Sequence, residues 1–188
     1  MVISGGDFVK REYLEENVYD AFLNRKKLIF EEFDNIFISF SGGKDSGLLL
    51  NLVLDYRNKY YPEKKLGVFH QDFEAQYTVT TEYIERTFER IKDQVEPYWV
   101  CLPMATRTAV SSYEMFWYPW DDKKEESWVR SMPDKEYVIN LENNPITTYR
   151  YRMHQDMCYC ILKNDHNCRF MGFGLTRQQQ KRMDIRCR

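Results

Sequence analysis

Short apolar runs alternate with longer amphipathic stretches along this chain. Residues 36–40 (Ile-Phe-Ile-Ser-Phe), 66–70 (Leu-Gly-Val-Phe-His), 97–102 and 169–173 have the length and apolar character of buried strands, and 137–141 reads as a shorter one. Between them lie helical patterns. Residues 8–30 space Phe8, Tyr13, Leu14, Val18 and Phe22 along one side, and residues 77–95 put Tyr77, Ile84, Phe88, Ile91 and Val95 on one stripe. Residues 46–60 are apolar nearly all round for their first turns, which predicts a helix covered on more than one side, and 147–163 reads as a further helix. Strands separated by helices imply right-handed crossovers, hence an α/β fold with a mostly parallel sheet and helices on both faces. The alternation fails at 103–136, where Trp117-Tyr118-Pro119-Trp120-Asp121-Asp122-Lys123-Lys124 is too aromatic for a linker. An insertion folding over the sheet edge is expected there, within one domain spanning 1–188.

The turn after the first strand carries the candidate chemistry. Ser41-Gly42-Gly43-Lys44-Asp45-Ser46 leads from strand to helix, the arrangement that turns backbone N–H groups toward a phosphate. Its glycines let the backbone approach an anion, Ser41 and Ser46 add hydroxyls, and Lys44 adds positive charge to the helix N-terminus. The spacing is neither that of a Walker loop nor that of a dinucleotide-binding turn. A tight connection with an N-cap would use some of the same residue types.

In an open parallel sheet the ligand crevice lies beyond the C-terminal ends of the strands. Strand order therefore predicts that Ser39, Phe40 and the 41–46 loop converge with His70, Gln71 and Asp72, and with Gly174, Thr176 and Arg177. That set would supply phosphate donors, a carboxylate in Asp45 or Asp72 to hold Mg²⁺ or act as a base, and an arginine fork for an anion. His70 is open to two readings, contact with a ribose or base, or packing with one satisfied nitrogen. Trp117 and Trp120 are likewise either stacking platforms or buried loop anchors. Glu82, Glu85 and Glu89 read as the wet face of their helix.

Composition narrows the class. The 188 residues are 43% hydrophobic and 16% aromatic, enough for a single enzyme-sized core. No run of about 18 apolar residues and no leader-like start at Met1–Asp7 is present, so a soluble, cytoplasmic protein away from membranes is expected. Five cysteines fit a reducing compartment better than a disulfide framework. Cys158, Cys160 and Cys168 are close in sequence, but Cys-x-Cys puts the first pair about 200° apart on a helix, so buried thiols are a better reading than a metal cluster. His154 and His166 lack the carboxylate pattern of a zinc site. The formal charge of −2 conceals a basic end, because residues 150–188 hold nine basic and three acidic side chains, a formal +6 suited to an anionic ligand or a nucleic-acid acceptor.

All six residues from Ser41 to Ser46 follow the Ser-Gly-Gly-x-Asp-Ser loop of the PP-loop pyrophosphatases, so the chain resembles the adenine nucleotide alpha hydrolase superfamily. Lys44 at the fourth position resembles the phosphoadenosine phosphosulfate (PAPS) reductase branch and its sulfurtransferase relatives. Asp72 stands where that branch has Asp-Thr-Gly, and Thr80-Thr81-Glu82-Tyr83-Ile84 resembles its Thr-x-x-Tyr-Ile. Gly174-Leu175-Thr176-Arg177 is similar to its glycine–arginine element, with an added threonine and with Gln180 replacing an acid. Trp117-Tyr118-Pro119-Trp120 and Trp128-Val129-Arg130-Ser131-Met132-Pro133 resemble a PAPS-reductase-like family of sulfurtransferase type, which includes a regulator of immunoglobulin-binding proteins encoded beside a ParB-like partner.

The resemblance implies a Rossmann-like nucleotide-binding domain that takes ATP or PAPS with Mg²⁺, reads adenine through backbone groups at strand ends, and uses Lys44, Asp45, Asp72 and Arg177 in the reaction. The preferred activity is cleavage of the α–β phosphate bond of ATP to adenylate a substrate for sulfur transfer. The alternatives are PAPS or adenosine phosphosulfate reduction, and nucleotide sensing or partner binding without turnover. The reductases' Glu-Cys-Gly-x-His tail is not spelled here. Cys187 stands in Asp184-Ile185-Arg186-Cys187-Arg188 without the glycine and histidine.

Overall fold

Ile36–Phe40 offers apolar side chains to both sides of a pleat, which suits a strand buried on both faces. In the computed structural model this run forms β1 (Asn35–Ser39), an inner strand of the sheet. The structure describes residues 15–108, 110–144 and 168–171, the last four as backbone. Around β1 the chain forms α1 (Val18–Glu32), α2 (Lys44–Tyr60), β2 (Leu66–Gln71), α3 (Thr78–Ile91) and β3 (Glu96–Val100). It continues through a hairpin of β4 (Thr106–Arg107) and β5 (Phe116–Trp117), a 3₁₀ segment at Asp122–Ser127, β6 (Val138–Ile139) and β7 (Cys168–Met171).

Five strands make one sheet in the order β6-β3-β2-β1-β7, and each neighbouring pair is parallel. The α/β architecture with a parallel sheet flanked by helices is thus the one the hydrophobic pattern predicts. From β1 the chain steps outward through β2, β3 and β6, and β7 then lies on the other side of β1. The strand order therefore reverses at β1, and the loop that follows β1 occupies the switch point.

Side-chain parity divides the core. Ile36, Ile38, Leu66 and Val68 join Phe30 of α1, Leu50 and Val53 of α2, and Ile84 and Phe88 of α3 in one cluster. Phe69 and Val100, together with Leu102 and Met104 beyond β3, form a second cluster on the other side of the pleat. The described helices all contribute to the first cluster. The helix expected over 147–163 lies outside the described residues. Phe37 and Gly67 are partners across β1 and β2, and a Cβ on Gly67 would stand 2.1 Å from Cδ1 of Phe37. Only a glycine lets the phenylalanine ring lie over its neighbouring strand.

Element boundaries shift for local reasons. The helix expected from 46 begins at Lys44, because Gly43 takes the extended cap conformation and Asp45 in the first turn, with Arg57 and Lys59 in the last, complements the helix dipole. The helix expected over 77–95 ends at Ile91, and Tyr77 caps it in an extended conformation at 87% exposure instead of starting the buried stripe. The irregular 103–136 stretch contains the hairpin and the 3₁₀ segment. No helix among the described residues is long and apolar enough to cross a membrane.

Glu85 and Glu89, expected to be solvated, tie α3 to the approach to β6. Lys135 Nζ lies 3.1 Å from Glu85 and 3.6 Å from Glu89, and the Tyr137 hydroxyl donates to Glu89 at 2.8 Å. Lys92 first, then Tyr137, hold the Glu89 carboxyl down from its usual 4.5 to about 2. A depressed carboxylate stabilises the fold above its unfolded pKa and loses that contribution as pH falls through the folded one. Glu89→Gln is therefore expected to flatten the loss of stability between about pH 4.5 and about pH 2, read as urea midpoints across that range. An unchanged acid limb would contradict the tie.

Candidate functional site

The Ser41–Ser46 loop is held in shape from within and from below. Gly42 has φ +78°, and a Cβ there would meet Ile84 Cγ1 at 2.7 Å and Thr80 Cγ2 at 3.0 Å. Glycine is required both by conformation and by the close seat on α3. The Ser46 hydroxyl donates to the Gly43 carbonyl at 3.0 Å, which commits its proton. Ser41 Oγ, 3.1 Å from Ser46 Oγ, then supplies the proton between them, and the Ser41 amide donates to Ser46 Oγ at 3.3 Å. The Gly43 amide donates to Ser41 Oγ at 3.4 Å.

Gly43 caps α2 without a side-chain hydrogen bond. The amides of Lys44, Asp45 and Ser46, which a helix cannot satisfy itself, are left for solvent or an anion. Lys44 and Asp45 are exposed beside them. The loop thus pairs a preorganised set of donors with one cation and one carboxylate at the switch point of the sheet.

The strand-end groups divide into two kinds. Ser39 ends β1 half-buried, but the Phe40 ring is 1% exposed and packs against Tyr83 and Phe88, so its side chain belongs to the core and not to a ligand contact. His70, open to a ribose or base contact or to packing, is 0% exposed, lies edge-on to Trp99 and donates from Nδ1 to Phe40 O at 2.8 Å, which is the packing reading. Strand parity explains both placements: residues 38, 40, 68 and 70 alternate onto the helix-covered side. Gln71 ends β2 at 7% exposure, on the other side. Gly174, Thr176 and Arg177 lie outside the described residues, as do Cys158, Cys160, Cys187, His154 and His166.

Asp72 has a different role from the one expected. Its side chain is fully buried, and four N–H contacts take its two oxygens. Oδ1 accepts from the Glu74 amide at 2.7 Å and from Arg130 Nη2 at 2.5 Å, while Oδ2 accepts from Trp99 Nε1 at 2.7 Å and from the same Nη2 at 2.6 Å. With these donors in place the carboxylate has no site open to Mg²⁺ and no free lone pair for proton abstraction. It organises the structure instead.

Glu74, which has φ +62°, extends the same knot: its carboxylate accepts from the amides of Trp120 at 3.1 Å and Val129 at 2.8 Å. The Trp120 indole donates to Asp72 O at 3.1 Å and meets the Trp128 ring edge-on at 5.1 Å. The Arg130 guanidinium stacks 4.9 Å over Trp120. Trp120 is therefore the loop anchor of the two readings offered for it, at 1% exposure.

This knot draws the 117–130 segment down onto the residues following β2, beside the crevice. Sequence patterns do not announce it, since Arg130 and Asp72 are 58 positions apart. Cys101, beside Asp72, is buried, and desolvation followed by the Asp72 charge pushes its thiol far above the usual range, which leaves it unreactive. Among the described residues no three His, Cys, Asp or Glu side chains form a metal-binding group.

Residues 104–182 match a family described as a domain of unknown function, DUF3440. The chain is also 36% identical over 118 residues, 62% of its length, to the uncharacterized protein YbdN of Escherichia coli (strain K12). It spans 28% of that relative. No solved structure matches. The DUF3440 segment supplies Trp117, Trp120, Trp128 and Arg130, whereas Asp72 and Glu74 precede it.

Arg130→Ala would leave Asp72 buried without its cation. The expected loss of unfolding free energy is about 3–5 kcal/mol, measured by urea denaturation. Pairing it with Asp72→Asn should cost clearly less than the two single losses together. A loss below about 1 kcal/mol for Arg130→Ala, the value typical of exposed pairs, would show the knot to be peripheral.

Proposed function

We propose that the loop after β1 binds the phosphates of ATP, and that the protein cleaves the α–β phosphate bond to adenylate a substrate for sulfur transfer. The carrying observation is the position of Ser41–Ser46: an uncapped helix N-terminus with a locked, glycine-dependent turn, placed where the order of a parallel sheet reverses. This position, together with the spelling of the loop, supports an adenine nucleotide alpha hydrolase type of fold. In the reaction, an oxygen of the substrate attacks the α-phosphorus, the bond to the bridging oxygen breaks, and pyrophosphate leaves with the electron pair. Sulfur then displaces AMP from the activated substrate.

Lys44 and the amides of residues 44–46 stabilise charge that develops on the phosphate oxygens. Mg²⁺ binds mainly through phosphates and one or two carboxylates, and Asp45, exposed at the helix start, fits that demand. Asp72 does not, being saturated. Arg177 would meet the phosphates from beyond β7. The reading places the protein in the cytoplasm, with the basic 150–188 region available to a nucleic-acid acceptor and a ParB-like protein as a candidate partner.

Calorimetric titration with ATP and Mg²⁺ is expected to show one site, weakened about tenfold to a hundredfold by Lys44→Ala, the range for loss of a charged hydrogen bond. Ser46→Ala should weaken it as well by releasing the loop. Binding of PAPS but not ATP would transfer the site to sulfonucleotide chemistry. No binding of either, or binding indifferent to both substitutions, would overturn the reading.

A further inference from the structure

The last residue of β2 carries an unmet hydrogen-bonding demand. Gln71 is 7% exposed, and among the described residues its Nε2 meets only the Met104 sulfur, at 3.8 Å, and its Oε1 has no hydrogen-bond partner. Thioether sulfur is a weak acceptor, so both ends of the amide are poorly served. The surroundings are apolar, formed by the cluster of Phe69, Val100, Leu102 and Met104. An apolar side chain of the same size would be more stable there.

The position is also specific. The β1–β2 ladder ends at Ser39 and Phe69, closed by the Phe40 amide donating to Phe69 O at 2.8 Å. Gln71 lies two residues further along its strand, level with Ser41 at the start of the phosphate loop. Neighbouring strands are roughly 4.8 Å apart, so the amide and the loop border the same end of the sheet.

We propose that Gln71 reads the six-position of a purine held in this crevice, Oε1 accepting from the exocyclic 6-amine and Nε2 donating to N7. The inference rests on the nucleotide-binding reading above and names its base selectivity. An amide facing a 6-aminopurine finds a donor and an acceptor in matching order. A 6-oxopurine presents acceptors at both O6 and N7, so the amide in either orientation leaves one of them facing Oε1.

The test compares ATP with inosine triphosphate, which differs from it at that position by oxo in place of amino, on the full chain and on Gln71→Leu. The wild-type protein should bind ATP tighter by roughly tenfold to a hundredfold. Gln71→Leu should bring the two within about twofold of each other while raising the melting temperature, as expected when an unpaired acceptor is removed. Affinity for inorganic pyrophosphate should not change, which shows that the variant is folded and its loop intact. A purely structural glutamine would shift the melting temperature alone, and retention of the ATP preference in Gln71→Leu would overturn the assignment. Equal binding of the two nucleotides by the wild type would overturn it while leaving the nucleotide reading standing. Failure of both nucleotides to bind the wild type would sink the two together.

Discussion

A buried carboxylate that accepts four N–H contacts is the group on which the described structure turns. Asp72 stands just past β2, where the helix-covered and opposite sides of the sheet meet its C-terminal end, and its donors come from β3, from its own loop and from Arg130 of the distant aromatic segment. An isolated charge at this depth would be intolerable, so the arginine is required. Arg130 in turn is fixed by stacking on Trp120 and by its Nε donating to Glu74 O at 3.0 Å. The segment of 117–130 is held down by charge satisfaction and aromatic packing. Without regular secondary structure of any length, it has little else to hold it.

This arrangement separates two jobs at one end of the sheet. The acids after β2 are spent on architecture, whereas Lys44 and Asp45 of the loop after β1 stay exposed, available to the phosphate chemistry proposed for that loop. The loop itself depends on α3, because Gly42 sits against Ile84 and Thr80, and Ile84 is a core residue. Helix packing is thereby transmitted to the geometry of the turn after β1. The match of residues 104–182 to a domain of unknown function fits this division. That segment contributes the cover, and residues preceding it contribute the loop and the acids that the cover docks on.

Much of the fold was legible from local patterns. Runs of four to six apolar residues located β1, β2 and β3, and a helical stripe located α3, because burial on both faces and on one stripe leave different periods. By contrast, α1 begins only at Val18, which is 88% exposed and not on a buried stripe, and α2, expected to be covered on more than one side, leaves Leu48 57% exposed. The loop was legible because glycine and serine punctuate a strand-to-helix junction. What strand parity already contained, but residue type obscured, was the fate of His70 and Phe40. Both follow Ile38 and Val68 onto the helix side, where chemistry at a strand end yields to packing. The acid–arginine knot was not legible. It joins residues whose separation in sequence carries no periodic signal, and Glu74 and Trp120 adopt φ values of +62° and +55° that non-glycine residues rarely take. Tyr77 illustrates the reverse error, an aromatic on a helical stripe that capping geometry turns outward.

The central claim is that the turn after β1 holds a nucleotide's phosphates on its backbone amides. Hydrogen exchange across residues 41–48, measured with and without ATP and Mg²⁺, tests it at the atoms concerned. The account predicts slowed exchange at Lys44, Asp45 and Ser46, whose amides have no partner within the helix, with little change in α1. Unchanged exchange in this loop under saturating nucleotide would contradict it.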